Sequence, residues 1–572
     1  MLRITILFGV LFLSFFLRSQ DDPFGKKDFG MPVDIPVYLS GTFGELRGNH
    51  FHTGIDIKTQ GTVGKRILAI EDGWVSRIKV STSGYGKAIY VNHPDGYMSV
   101  YGHLSRFNDT IQKIVVSEQY EKESFTLQMF FDKDEIPVKK GELIAYSGNT
   151  GGSMGPHLHF EIRDLKTQNP LNPLLFESIK VKDFYRPRIK MLAIYPVDEN
   201  TLINGKNDTA FIEVAGWGSE HRLNNGNPIT ISGRVSLGIS AYDLMNDVPN
   251  KNGVFSTKLF HDSVLVFDLE MTRLSFKTGR YINSLIDYAY YKKSKTRLVR
   301  TQIDTNNRLG SYNFVSDNGI ITFSDTLKHN LKYIITDAYQ NIASLEFIIQ
   351  SSIDSKTPKT VKSGKNYFYY HQKNILKENG FTAIFPSNTF YQSFQFDFQT
   401  INPDSLALSP TWKLHNRFIP AHKYFTIKIP SGHLSDSILK YSYVAYSADN
   451  DEFFFSGKNL EENTHIIKSR NLGYYKIMTD TLAPLIKPVN FGDTKKLSSK
   501  ASLLVKIEDK ETGIDNYRAT LNGKWILMEY EPKKQLLIYN FDEFLLTGTN
   551  TFKLVVTDLV GNSSLYECEV VY

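Results

Sequence analysis

A single cysteine, Cys568, stands in 572 residues. An intramolecular disulfide is therefore excluded, and so is a lipid-bearing cysteine at a processed N-terminus. Each domain must hold by packing, hydrogen bonds or metal. Near the other end of the chain, Cys568 falls in an alternating strand and reads as a small buried hydrophobe. Long hydrophobic runs are missing too. The apolar stretch Ile4 to Leu17 is broken by Thr5, Gly9 and Ser14 and falls short of the about 20 residues of a membrane span. With Arg3 before it and polar Arg18-Ser19-Gln20-Asp21-Asp22 after it, residues 1–20 read as a secretory signal peptide. Leu17 is bulky for a position three before a cut, and an uncleaved segment would tie the chain to a membrane. Charge of one sign is also absent. Sixty-six basic residues face 60 acidic ones, for a net charge of +6, which describes a mixed solvated surface. The basic cluster Lys292-Lys293-Ser294-Lys295-Thr296-Arg297 reads as a solvated hairpin loop, and no nucleic-acid module is recognisable. No His-Glu-x-x-His motif occurs, which excludes the zincin class.

What is present points to β structure. Aromatics abound, with 32 Tyr and 39 Phe, and the length suggests about four domains. The stretch Gly155-Pro156-His157-Leu158-His159-Phe160-Glu161-Ile162-Arg163 organises the first of them. At a period of two, His157, His159 and Glu161 face one side and Leu158, Phe160 and Ile162 the other. The apolar face packs on a core. Two imidazoles on the opposite face have no packing reason to be there, and neutral imidazole suits zinc.

From Asp21 to about Pro173 the chain reads as short strands between glycine-rich turns, without helical periodicity. Ile67 to Ile70 and Trp74 to Val80 are expected to pair about an Asp72-Gly73 turn. Ala88 to Asn92 and Tyr97 to His103 are expected to form a hairpin around Pro94-Asp95-Gly96. Six of the 14 histidines fall here, at positions 50, 52, 93, 103, 157 and 159. Gly54 lets the backbone bend so that His52 and Asp56 reach one ion. With His159 they supply two nitrogens and one carboxylate oxygen, leaving a fourth tetrahedral position for water. His103 and His157 remain beside the metal, while His50 and His93 read as structural.

His52-x-Gly54-x-Asp56, Tyr101-Gly102-His103-Leu104 and Ser147-Gly148 through His157-Leu158-His159-Phe160-Glu161 together resemble the lysostaphin/LytM-type zinc metalloendopeptidases, which cut peptide cross-links of bacterial peptidoglycan. The resemblance covers roughly residues 40 to 173. It implies one Zn2+ per chain held by His52, Asp56 and His159, with His103 and His157 as catalytic histidines. His157 is expected to be the general base, and His103 to stabilise the oxyanion or protonate the leaving amine. Tyr101 fits either substrate contact or packing, and Glu161 either a ligand-orienting role or a structural ion pair. The long connection between His103 and Gly141 is expected to be an extra hairpin walling the groove or a surface insertion.

The expected architecture is mainly β: an antiparallel metallopeptidase domain at 21–178, then immunoglobulin-like β-sandwiches at 179–355 and 476–572, with a divergent β domain at 365–475 between them. Residues 354–365 read as a linker. A repeat supports the two sandwiches. Leu331 to Asp337, then Asn341, matches Phe552 to Asp558, then Asn562, and upstream Gly238 to Asp243 before Gly253-Val254 matches Val505 to Asp509 before Gly513-Ile514. The expected function is an exported peptidoglycan hydrolase of the periplasm or cell envelope. A wall-binding activator of another hydrolase and a zinc peptidase of exported proteins are the alternatives. Its partners would be peptidoglycan stem peptides, and the β domains could add an envelope protein. Because the five site residues precede residue 160, a chain ending near Lys180 is expected to keep the chemistry.

Overall fold

A computed structural model describes residues 24, 27–224, 228–354, 366–403, 407–492, 496–497 and 502–572. The expected signal peptide and the 355–365 part of the linker lie outside the described residues. Among the described residues no helix is long and apolar enough to cross a membrane.

The chain is mainly β. A nine-stranded antiparallel sheet builds the first domain. Its central strand His157–Asp164 lies between Ile55–Lys58 and Tyr97–Leu104. Leu158, Phe160 and Ile162 are fully buried in the core on one face, as alternation demands. A small second sheet of Arg66–Leu68, Leu143–Tyr146 and Arg106–Phe107 contributes Ile67, Ile144 and Phe107 to the same core. The hairpin of Lys87–Asn92 with Tyr97–Leu104 forms as expected.

The pairing across Asp72-Gly73 does not form. Arg66–Leu68 pairs with Leu143–Tyr146, and Gly73–Val80 pairs with Lys87–Asn92 and Leu127–Phe130. Asp72 is a crossover between sheets, its carboxylate accepting from the Lys140 amide and from Lys139 Nζ, both at 2.9 Å. The absence of helix is also corrected. Asp109–Glu121 is a helix of 13 residues, capped by Asn108, whose side chain accepts from Ile111 N at 2.9 Å. It buries only Ile111, Val115 and Gln119, a stripe too thin to show as amphipathic periodicity. The connection after His103 is thus a helix and the edge strand Leu127–Phe130, not a hairpin over the groove.

The strand Ile229–Leu244, 16 residues long, pairs with Arg188–Pro196 along one edge and with Ile342–Ser351 along the other, so the sheet of the next domain curls round. Residues 366–480 place two five-stranded sheets around one core, and residues 485–571 place two four-stranded sheets around another, which buries Cys568. The repeat has a physical basis in one turn used twice. Asp337 accepts from Tyr339 N and Asn341 N, and Asp558 accepts from Val560 N and Asn562 N in the same way.

The domains interlock. Phe43 and Phe51, from the segment leading to His52, are buried in the core of the second domain. Asn172 Nδ2 donates to Met271 O, and Leu274 N to Pro170 O, both at 3.0 Å. The C-terminal domain returns to the first. Tyr120, at the end of the helix, stacks on Phe544 at 5.0 Å between ring centres and donates to Asp542, while Lys87 pairs with Glu529 at 2.8 Å.

These contacts reverse the expectation for a chain ending near Lys180, which would leave Phe43 and Phe51 uncovered. That truncation should aggregate or lose its cooperative thermal transition. Phe51→Ala in the full chain should cost about 3–5 kcal/mol in chemical denaturation. A loss below about 1 kcal/mol would show that the two cores are not joined through this ring.

Candidate metal centre

The polar face of the central strand meets the bend around Gly54. A side chain on Gly54 would collide with Phe160 O at 2.2 Å, so only glycine lets this segment lie against the strand. In the antiparallel register His159 stands opposite Asp56. His52 Nε2 and Asp56 Oδ1 are 3.0 Å apart, His159 Nδ1 and Asp56 Oδ1 2.9 Å, and the two ring nitrogens 3.0 Å.

The far side of each ring fixes what its near side can do. His52 Nδ1 lies 2.8 Å from the Thr42 carbonyl, which only accepts, so the proton sits on Nδ1 and Nε2 offers a lone pair. His159 Nε2 donates to Glu161 Oε1 at 2.9 Å, and Nδ1 faces Asp56. Three acceptors therefore converge on one buried point, and only a cation or a proton between them relieves the repulsion. Burial works against charging His159, but hydrogen bonds to Asp56 and Glu161 outweigh it and raise it to about 9. Burial pushes His52 down to about 4. The donor set of two imidazoles and one carboxylate fits zinc.

Glu161 is fully buried. Arg163 Nε donates to its Oε2 at 2.6 Å and Thr53 Oγ1 to its Oε1 at 2.6 Å. Tyr85 stacks on the His159 ring with centres 4.9 Å apart and also donates to Glu161. Glu161 thus orients His159 through hydrogen bonds as well as belonging to an ion pair. Arg47 Nη2 contacts Asp56 Oδ2 at 2.5 Å, occupying that oxygen and leaving Oδ1 toward the imidazoles.

His103 and His157 flank the cluster, their ring centres 4.8 Å apart. His103 Nδ1 donates to Thr150 O at 2.8 Å, and His157 Nδ1 to Gly155 O at 2.8 Å. Each ring therefore presents Nε2 with a lone pair. His157 Nε2 stands 3.4 Å from Asp56 Oδ1. Burial, reinforced by His159 and His157, lowers His103 to about 3.

Tyr101 is not at the site. It is fully buried, packed 5.5 Å from Phe160, and its hydroxyl accepts from Ile70 N and from Ser99 Oγ. Alternation along Tyr97–Leu104 breaks because His103 adopts a left-handed backbone with φ of 60°, which separates His103 from the face that Tyr101 occupies. His93 is structural, held by Asp72 O and Ser99 Oγ, and His50 bonds Gly48 O beside the groove. Sequence reasoning missed Arg47, Thr53 and Tyr85. Only the fold brings Tyr85 and Glu161 together, and Arg47 and Thr53 lie in the motif region without spacing that marks them.

The groove over the cluster has a second wall from beyond the first domain, including Leu274, Phe276 and Arg280 from the second domain and Arg470 from the third.

The peptidase family M23 model matches residues 50–120 and 115–173. Residues 50–173 carry an M23 domain. A Zu5-like domain model matches residues 365–480, the β module that follows the linker. The DD-carboxypeptidase/endopeptidase Mpg of Neisseria meningitidis is 34% identical over 164 residues, covering 27% of this chain and 31% of that protein. The murein hydrolase activator NlpD of Escherichia coli is 39% identical over 134 residues, covering 23% of this chain and 28% of that protein. The chain thus spans less than a third of the length of these relatives. Among solved structures, a catalytic-domain variant of the prophage-encoded M23 protein EnpA from Enterococcus faecalis is 27% identical, covering 26% of this chain and 96% of that domain with a TM-score of 0.19.

In the M23 domain of this chain, Glu161→Gln keeps the shape but removes the charge that fixes the His159 tautomer. Zinc affinity, measured by competition with a chromogenic chelator, should fall about 10–100-fold. Unchanged affinity would mean that Glu161 serves only its pair with Arg163.

Proposed function

We propose that this chain is an exported zinc-dependent endopeptidase that hydrolyses peptide cross-links of bacterial peptidoglycan. The observation that carries the reading is the convergence of His52 Nε2, Asp56 Oδ1 and His159 Nδ1 on one buried point, with two further imidazoles presenting Nε2 beside it. When bound there, zinc would supply a Lewis acid and an acidified water. Asp56, charge-balanced by Arg47, and Glu161, charge-balanced by Arg163, hold the ligands in place.

His157 Nε2, on the face shared with His159, accepts the proton of the attacking water. His103 presents the same lone pair, so it serves the developing oxyanion or the leaving peptide nitrogen only after Nε2 has taken up a proton, which burial makes it release readily. Both rings can change state at Nε2 without moving, because their Nδ1 protons are anchored to the carbonyls of Thr150 and Gly155. Arg280 and Arg470 in the second wall suit peptides with free carboxylates.

A wall-binding activator is the second reading, favoured by the similarity to NlpD. Five filled positions in M23 spacing argue for catalysis instead. The test is mass spectrometry of purified sacculi incubated with the protein, beside Asp56→Ala. Cleaved cross-links with the wild type alone are expected, and no new fragments would favour the activator. His103→Ala and His157→Ala should each retain zinc by elemental analysis yet lose activity by about 100-fold or more. Zinc lost in step with activity would make either one a ligand.

A further inference from the structure

Away from the histidines, three aspartates meet where the connector leaving the first domain reaches the second. Asp183 lies on the connector, Asp243 near the end of strand Ile229–Leu244, and Asp337 directly after strand Lys328–Thr336. All three are buried, and one oxygen of each lies within 4.8 Å of the others. The neighbouring charges that act on Asp243 are those of Asp183 and Asp337, with no basic group among them. Burial and this repulsion push Asp243 up to about 9 and Asp183 up to about 7.

Carboxylates gathered in a fold are ordinary, and what sets these apart is that two of their oxygens lack donors. Asp183 Oδ2 and Asp243 Oδ1 are buried without a hydrogen-bond partner. Asn252 stands opposite Asp243 in the antiparallel register, which turns both side chains to one face. It is 3% exposed, and neither Oδ1 nor Nδ2 has a partner. Native proteins pair almost all such atoms, and the three unpartnered oxygens are of the kind a cation satisfies.

The second copy of the repeat shows the same frame completed by the protein itself. Asp480, Asp509 and Asp558 take the places of Asp183, Asp243 and Asp337. Asp183 Oδ1 accepts from Tyr185 N as Asp480 Oδ1 does from Leu482 N. Asn341 bridges Asp337 and Asp183 O as Asn562 bridges Asp558 and Asp480 O. Thr512 replaces Asn252 before the glycine, and its hydroxyl donates to Asp480 Oδ2 at 3.0 Å. Asp509 Oδ1 accepts from Thr512 N and Gly513 N. The second cluster has its donors, and the first has none for the two oxygens left over.

We propose that Asp183, Asp243, Asp337 and the Asn252 Oδ1 bind a calcium ion that fastens the M23 domain to the domain after it. An all-oxygen set of three carboxylates and an amide suits a hard cation, and calcium tolerates irregular geometry where magnesium demands an octahedron. Zinc prefers the nitrogens of the other centre. The residues next to the ligands belong to the seam. Met245 lies in the core of the M23 domain, and Ala338 and Tyr339 pack against it. Gly253 N donates to Thr42 Oγ1 at 3.0 Å, and the Thr42 carbonyl is the one that holds His52.

The test uses the full chain, stripped on a chelating resin, reloaded with one equivalent of zinc and dialysed against radioactive calcium. One calcium per chain should bind with Kd of about 10⁻⁴–10⁻³ M. At a tenfold excess over Kd the thermal midpoint should rise by about 3 °C or more. Asp243→Asn should abolish both responses while melting no lower than wild type without calcium, because burial beside Asp183 and Asp337 already disfavours the charged carboxylate and the amide keeps its shape. Asp509→Asn, in the second copy, should leave both responses intact. Asn252→Ala, which removes one neutral donor, should weaken calcium binding several-fold in a folded chain. Wild type that binds no calcium, or Asp243→Asn or Asn252→Ala with undiminished affinity, would overturn the site.

Discussion

The structure depends on one constraint: the segment from Thr42 to His52 belongs to two domains at once. Phe43 and Phe51 are anchored in the core of the second domain, while His52 faces the central strand of the first. The Thr42 carbonyl fixes the His52 tautomer, and the Thr42 hydroxyl is tied to Gly253. The orientation of one candidate ligand is thus set partly by packing outside the domain that carries the other two. A small β domain with a shallow groove gains rigidity this way, at the expense of its independence.

Electrostatics explain why the site needs so many neighbours. Asp56 and Glu161 are both buried, and neither could remain ionised without partners. Arg47 and Arg163 supply one guanidinium to each, from the edge of the cluster, so that the oxygens facing the imidazoles stay free. With both carboxylates balanced, what favours a cation at this point is the convergence of lone pairs from His52, Asp56 and His159 rather than a deficit of charge. At the seam of the second domain the three aspartates lack such arginines, and there the charge itself is uncompensated.

Much of this was legible in the sequence because it rests on local patterns. Period-two alternation in His157–Arg163 placed His157, His159 and Glu161 on one face, and Gly54 between His52 and Asp56 announced a bend. The turn motif around Asp337 and Asp558 was visible as a spacing before it had a meaning. What could not be read was tertiary. Alternation alone sets Tyr101 on the same face as His103, and the left-handed backbone at His103 undoes that. The helix Asp109–Glu121 buries too few residues to print a period, since its role is to present Tyr120 to another domain. Asp72-Gly73 has the composition of a hairpin turn, yet its carboxylate is held by Lys139 and Lys140 from a distant segment.

That helix also joins the first domain to the last. Tyr120 sits against Trp525 and Phe544, Arg518 pairs with Glu123, and Lys87, with only 8% of its side chain exposed, pairs with Glu529. Lys533 donates to the carbonyls of Asn149 and Ser153, in the loop beside the face that carries the histidines. The Ser153 hydroxyl lies 3.2 Å from His157 Nδ1. The last domain therefore touches the loop that frames one of the two flanking histidines, while the second domain holds the segment that carries His52. The third domain adds Arg470 to the outer wall, so each of the three later domains contacts the groove or the segments that carry its histidines.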